Sequence, residues 1–187
     1  MEKNTIEKTF EEVKSEYENG NKNFIEEYAI FLRDGKACGK NIELSIKLFE
    51  EAINNNSTVI STVSLGFIYR DKRNFQKAFE YYCKAEKLDG TFHPEMIANC
   101  YYYGIGIEKN KIKALEILKQ INLTNSTKKT IQDANYMIGK IYLEGEIVEK
   151  SIEKSRYYLE LANEDNDHRN SQDLLLILGR NKDLIIN

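Results

Sequence analysis

The sequence predicts an all-α protein, a right-handed solenoid of about four helix-turn-helix repeats closed at each end by a capping helix. Three observations predict it. Apolar residues recur at helical spacing and almost nowhere alternate with period two. A block consisting of a large apolar residue, a small one and a bulky one three positions later returns at intervals of 32 to 41 residues. Each such block is followed by a second helical block whose second residue is small.

The elements follow in chain order. Ile6, Phe10, Val13 and Tyr17 make one apolar stripe, and Asn4 with Glu7 three residues on reads as a capping box, so an N-terminal cap helix is expected over about residues 4–18. The first helices of the repeats carry Tyr28-Ala29-x-x-Leu32, Leu65-Gly66-x-x-Tyr69, Ile97-Ala98-x-x-Tyr101 and Ile138-Gly139-x-x-Tyr142. The small residue of each lets a neighbouring helix approach closely. The second helices are LSIKLFEEA at 44–52, KAFEYYCKA at 77–85, KALEILKQI at 113–121 and KSRYYLELA at 154–162. Their small residues are Ser45, Ala78, Ala114 and Ser155, and four positions earlier stand Asn41, Asn74, Asn110 and Ser151, all favoured N-caps. Gly35, Gly104 and Gly145 sit where a left-handed C-cap ends the first helix, and Lys72 replaces the glycine in the shorter second turn. Leu174, Leu175 and Leu178 share one face of a last helix. The whole chain, 1–187, is then one domain: cap 1–20, repeats at about 23–56, 57–90, 91–130 and 131–167, and a C-terminal cap at 168–187.

Bulk composition narrows the function. Of 187 residues, 41% are hydrophobic and 30% charged, and the net charge of -3 gives no basic field for holding nucleic acid. The start, MEKNTIEKTF, lacks the apolar core of a secretory signal, and the apolar run LLLIL at 174–178 is too short to cross a bilayer. A cytoplasmic monomer without membrane contact is expected. Heavy use of Lys, Asn and Ile fits an AT-rich microbial source. Cys38, Cys83 and Cys100 do not form a disulfide framework and read as free, structural thiols, with Cys38 an apolar anchor in its turn.

Motifs for chemistry are weak. Gly104 and Gly106 in YYYGIGIEKN have no preceding strand and no Gly-Lys-Ser/Thr ending, so the segment is a turn between helices and not a phosphate loop. His93 precedes Pro94 at a helix start, and His168 lies in the polar run NEDNDHRN. The spacing of these two residues gives no metal site. Paired carboxylates such as Glu11-Glu12 and Glu50-Glu51 read as solvated helix faces. No cofactor, metal or catalytic residue is expected.

The segment YYYGIGIEKNKIKAL at 101–115 resembles the Sel1-like repeat family, a relative of the tetratricopeptide repeat. LGFIYRDKRNFQKAFEYYCKA at 65–85, with its shorter turn, looks more like a tetratricopeptide unit. The resemblance covers roughly 23–166. Ala37 and Ile147 depart from its second turn glycine, Ile121 departs from its closing alanine, and NLTNSTKKT at 122–130 lengthens one joint. The resemblance implies a non-catalytic protein-binding module whose first helices line a concave face. Carried over position by position, that face comprises Arg33, Phe67, Arg70, Asp71, Asn99, Tyr102, Tyr103, Tyr136 and Lys140, aromatics flanked by cations as in binding hot spots. It implies another protein or a peptide as partner, in bacterial adaptor or scaffold roles. A small acidic chain also fits an immunity protein that neutralises a secreted toxin by covering its active site. The rivals are a hydrolase of the kind claimed for cysteine-rich Sel1-like relatives and a regulator that binds a peptide.

Overall fold

The computed structural model describes residues 8–56, 58–88, 94–123 and 126–180. Among them the chain forms ten α-helices, one short 3-10 turn and no strand. The chain divides into two compact units, Met1–Asp89 and Gly90–Asn187.

In the first unit the helices are α1 (Phe10–Glu18), α2 (Ile25–Asp34), α3 (Ile42–Asn56), α4 (Val59–Asp71) and α5 (Phe75–Leu88), with a 3-10 turn at Lys22–Phe24. Of the cap helix expected over about 4–18, the described residues form Phe10–Glu18, and the Asn4–Glu7 capping box lies outside them. Residues 1–7 lie outside the described residues, and α1 begins only after Thr9, whose extended backbone (φ -72°, ψ 161°) stops the helix there. Thr9 and Glu12 form the reciprocal capping box: the Thr9 amide donates to Glu12 Oε2 at 2.8 Å, and the Glu12 amide returns to Thr9 Oγ1. Ile6 of the expected stripe lies outside the described residues; of the rest, Phe10 and Tyr17 pack on the Tyr28 ring while Val13 is buried. The core of this unit is built from Val13, Tyr28, Ala29, Leu32, Leu48, Phe49, Leu65 and Ile68.

In the second unit the helices are α6 (Pro94–Tyr103), α7 (Lys111–Ile121), α8 (Lys128–Glu144), α9 (Ile152–Ala162) and α10 (Arg169–Arg180). Pro94 opens α6 as expected, while His93 lies outside the described residues. Ala98, Tyr102, Ala114, Leu118, Ile121, Ala134, Ile138 and Ile141 form its core. Leu178 of α10 is buried, with Leu174 and Leu175 half-buried beside it.

The repeat grammar holds in every pair. The side chains of Asn41, Asn74, Asn110 and Ser151 each accept a hydrogen bond from the amide three residues on, at 2.9 to 3.2 Å. Ser45, Ala78, Ala114 and Ser155 are all buried, and so is the residue four positions later in each second helix: Phe49, Tyr82, Leu118 and Leu159. In the second and fourth pairs the bulky residue lies over the small residue of the first helix. An added methyl on Gly66 would fall 2.6 Å from Tyr82 Cε1, and one on Gly139 would fall 2.9 Å from Leu159 Cγ. Gly35, Gly104 and Gly145 adopt the left-handed C-cap at φ 69 to 73°. Cys38 anchors its turn through Sγ, 3.5 Å from the Phe31 carbonyl. No described helix is long and apolar enough to cross a membrane.

Candidate functional site

The candidate residues lie on the first helices, with one group within each unit. In the first unit Arg33, at the end of α2, forks onto its neighbour Asp34 (Nε to Oδ1 2.7 Å, Nη2 to Oδ2 3.2 Å) and donates through Nη1 to Ser64 Oγ of α4 at 3.0 Å. The guanidinium holds the Asp34 carboxyl below its ordinary value, against the opposing effect of burial. One repeat later Arg70 pairs with Asp71 at 3.0 Å, and its guanidinium lies 5.0 Å over the half-buried Phe67 ring. Phe67 is fixed from beneath by an edge contact with Tyr82 at 5.9 Å. Arg33 and Arg70 thus each repeat an Arg-Asp fork at the end of a first helix.

In the second unit Tyr102 and Tyr103 take different roles. Tyr102 is 2% exposed and belongs to the core, whereas Tyr103 is 50% exposed. Successive residues on a helix point about 100° apart, so the two rings leave α6 in different directions. The rings meet edge to face at 4.7 Å. Lys140 of α8 donates to the Tyr103 hydroxyl at 3.0 Å and lies 5.0 Å over its ring. Below them Lys111, nearly buried, lies 4.6 Å over the Tyr102 ring and pairs with Glu144 at 2.7 Å and Glu146 at 2.8 Å. The exposed Tyr103 therefore stands on a braced base of aromatic and ionic contacts.

The electrostatics of that base are those of a clamp. Burial, then the neighbouring Glu144, pushes the Tyr102 phenol far above its ordinary value. Burial opposes the charges of Lys111 and Glu144, but their pairing outweighs it, so Lys111 is raised and Glu144 lowered. Lys140 is likewise raised, its bond to Tyr103 outweighing desolvation. Each of these shifts moves a group away from neutrality, whereas a general acid or base is tuned toward it.

Asn99 is half-buried on α6, with its side-chain carbonyl buried and unpaired. Tyr136 is also half-buried, its ring centroid 5.2 Å from that of His168 at the start of α10. His168 Nε2 lies 3.2 Å from Asp133, while Nδ1 accepts from the Ser171 amide and lies 2.8 Å from Ser171 Oγ. This chain of Asp, His and Ser has the order of a hydrolase triad, but Ser171 is fully buried. Its function here is to cap α10, since Nδ1 takes the free amide of the first turn. Among the described residues no group of three or more His, Cys, Asp or Glu side chains is placed to hold a metal ion.

A wide groove of about 670 Å³ lies elsewhere on the second unit, lined by Asn122, Ile131, Asn135, Tyr157, Tyr158 and Leu161 among others. Asn122 Nδ2 donates to Asn135 Oδ1 at 2.8 Å across its floor. Sequence spacing does not reveal this groove or the Lys111 pairing, because each joins side chains from different helices. The Asn-rich 122–125 stretch is its one local trace.

Three segments, 26–57, 96–120 and 132–167, match the Sel1 repeat, and 63–92 matches a tetratricopeptide repeat. These fall on the four helix pairs α2–α3, α4–α5, α6–α7 and α8–α9. The comparison with curated protein sequences gives no match. Among solved structures the chain is similar to a protective antigen of uropathogenic Escherichia coli strains displaying an SLR fold. The TM-score is 0.72 at 19% identity, over 91% of this chain and 36% of that one. It is also similar to a Sel1 repeat protein from Oxalobacter formigenes, with a TM-score of 0.65 at 17% identity, over 91% of this chain and 78% of that one. The chain thus spans about a third of the first protein's length.

Proposed function

Because this chain is a Sel1-like repeat protein of the α-solenoid class with one tetratricopeptide-type unit, we propose that it is a non-catalytic module that binds a partner protein through its first-helix faces. Repeats of this family generally mediate protein-protein interaction. The observation that carries the reading is the Tyr103 ring, half exposed yet held by Lys140 through both its hydroxyl and its face. A large amphipathic ring held in one orientation loses little entropy on binding, which is the property of an interface anchor. Phe67 under Arg70 is its counterpart in the first unit, where Arg33 and Asp71 supply polar contacts, and Asn99 lies on the same helix as Tyr103 in the second unit. Tyr102 serves by bracing Tyr103 and not by contact.

The sharper form of this proposal is an immunity protein covering the active site of a secreted toxin. A net charge of -3 favours association with a basic toxin domain. The hydrolase rival is disfavoured by the buried Ser171 and by pKa shifts that lead away from neutrality. A photo-crosslinking phenylalanine analogue placed at 103 tests the face, with position 112 on the second helix α7 as control, in cells of the source organism. A discrete adduct at 103 and none at 112 is expected; adducts at 112 alone would overturn the proposal.

A second reading has its own observation. The 670 Å³ groove presents Asn122, held from below by the buried Asn135, beside Tyr157 and Leu161, a combination suited to an extended peptide whose backbone Asn122 engages. Loss of partner binding in Asn135→Leu with Tyr103→Ala silent would favour it.

A further inference from the structure

We propose that His168 is a proton-sensitive latch: its neutral ring ties the first turn of α10 to α8, and the charged ring releases that turn. The latch stands on geometry within the second unit and does not depend on the binding reading above.

The hydrogen bonds fix where the ring carries its proton. His168 directly precedes α10, and its Nδ1 accepts from the Ser171 amide at 3.2 Å and lies 2.8 Å from Ser171 Oγ. A backbone N–H can only donate, so Nδ1 presents its lone pair and the ring proton sits on Nε2. There it is aimed at Asp133 Oδ1 of α8, 3.2 Å away. The ring accepts from one helix and donates to another, a combination that belongs to the neutral imidazole. The caps of α1, α4, α7, α8 and α9 are different in kind. Thr9, Thr58, Asn110, Thr127 and Ser151 all accept through a side-chain oxygen, which takes up no proton at ordinary pH.

A proton added to Nδ1 would meet the hydrogen of the Ser171 amide. That amide would keep only its bond to the His168 carbonyl at 3.0 Å. The new N–H would have Ser171 Oγ as its acceptor, and the hydroxyl of this fully buried residue would lose the acceptor it has in the ring. Positive charge at a helix N-terminus is also opposed by the helix dipole. Several neighbours favour the charged ring. Asp133 and the Tyr136 ring, tilted 38° to the imidazole at 5.2 Å, face it from α8. Asp165 and Asp167 lie in the turn before α10, but Lys128 engages Asp165 and the Gln132 amide donates to Asp167 at 3.3 Å. Arg169, next in the chain, adds like charge. Burial decides between the two sets. The Asp133 side chain is 38% exposed, so solvent screens its attraction, whereas the groups that lose their partner at Ser171 are shielded from water. The latch is therefore complete at high pH and is lost as pH falls through the range in which imidazole takes up its proton. Tyr136 rests on the same ring, so the proton also loosens a residue of the first-helix face, a consequence that does rest on the binding reading.

The test is amide hydrogen exchange of the full chain at pH 7.5 and 5.5, read by mass spectrometry, corrected for intrinsic rates and referenced to α9. Carboxylates keep their charge across this window, so histidine is the side chain that titrates. Protection over residues 169–176 should fall about threefold or more on acidification, within the roughly tenfold ceiling that one ordinary imidazole sets at pH 5.5. His168→Asn supplies an acceptor with no proton to gain and should show the same protection at both pH values. Asp133→Asn removes the counter-charge and should enlarge the acid loss, which keeps the test decisive where His168→Asn unfolds the turn outright. Equal or greater protection of the wild type at pH 5.5, an undiminished acid loss in His168→Asn, or a smaller one in Asp133→Asn overturns the proposal.

Discussion

Ala37 holds the left-handed backbone at φ 57°, in the turn position that Gly106 fills at φ 73° in the third repeat. A side chain there crowds the following carbonyl, at a cost of roughly 1–2 kcal/mol. Ala37→Gly should therefore stabilise the chain by about 0.5–1 kcal/mol after the added backbone entropy of glycine is offset, read as a shift of the urea midpoint at unchanged slope. Gly139→Ala presents the opposite case. Helix propensity alone would favour alanine by about 1 kcal/mol, but its methyl would lie 3.0 Å from the Ser155 carbonyl, which is backbone and cannot rotate away, and 2.9 Å from Leu159 Cγ. Overpacking should win, with a net loss of about 1–3 kcal/mol by denaturant titration. Glu144 supplies a pH dependence. Its folded pKa is lowered below the ordinary 4.5 by its partners against burial, so its contribution is complete above that value and is lost as pH falls through the lowered one. Stability of the wild type should drop below about pH 4.5 more steeply than that of Glu144→Gln, as thermal midpoints at pH 3 to 6 would register.

At the scale of the element, the chain is a succession of helix pairs written in one grammar of N-cap, small residue and bulky residue, with a glycine C-cap in all but the second pair, where Lys72 stands. Much of this was legible in the sequence because each rule involves neighbours on one helix. Asn41, Asn74, Asn110 and Ser151 act as caps where the spacing placed them, and Asn110→Ala should cost about 1 kcal/mol, the ordinary value of such a cap. The first helix was less legible because two capping boxes occur in tandem, Asn4 with Glu7 and Thr9 with Glu12. The second caps α1, whose Phe10 and Tyr17 pack against Tyr28, while the first lies outside the described residues. The facing of Tyr102 and Tyr103 was not legible either. Adjacent residues both fit an apolar stripe, and the choice between them is made by Lys111, Lys140 and Glu144, which come from α7 and α8. Likewise His168 caps α10 through a ring nitrogen, a function that residue-type preferences for caps do not flag.

For the whole molecule, the exposed Tyr103 ring held by Lys140 is what supports the proposed binding role. The two units each carry an aromatic held by a cation on a first helix, Phe67 under Arg70 and Tyr103 under Lys140. The most direct test of this account is a calorimetric titration of the chain with the partner protein recovered by crosslinking from its source. Tyr103→Ala and Phe67→Ala should each weaken binding by about 2 kcal/mol or more, the loss expected of an aromatic hot spot. Ile112→Ala, an exposed apolar residue on the second helix α7, should leave it within about 0.5 kcal/mol. Full affinity in both first-helix variants, with their helical content intact, would contradict the assignment of the binding face.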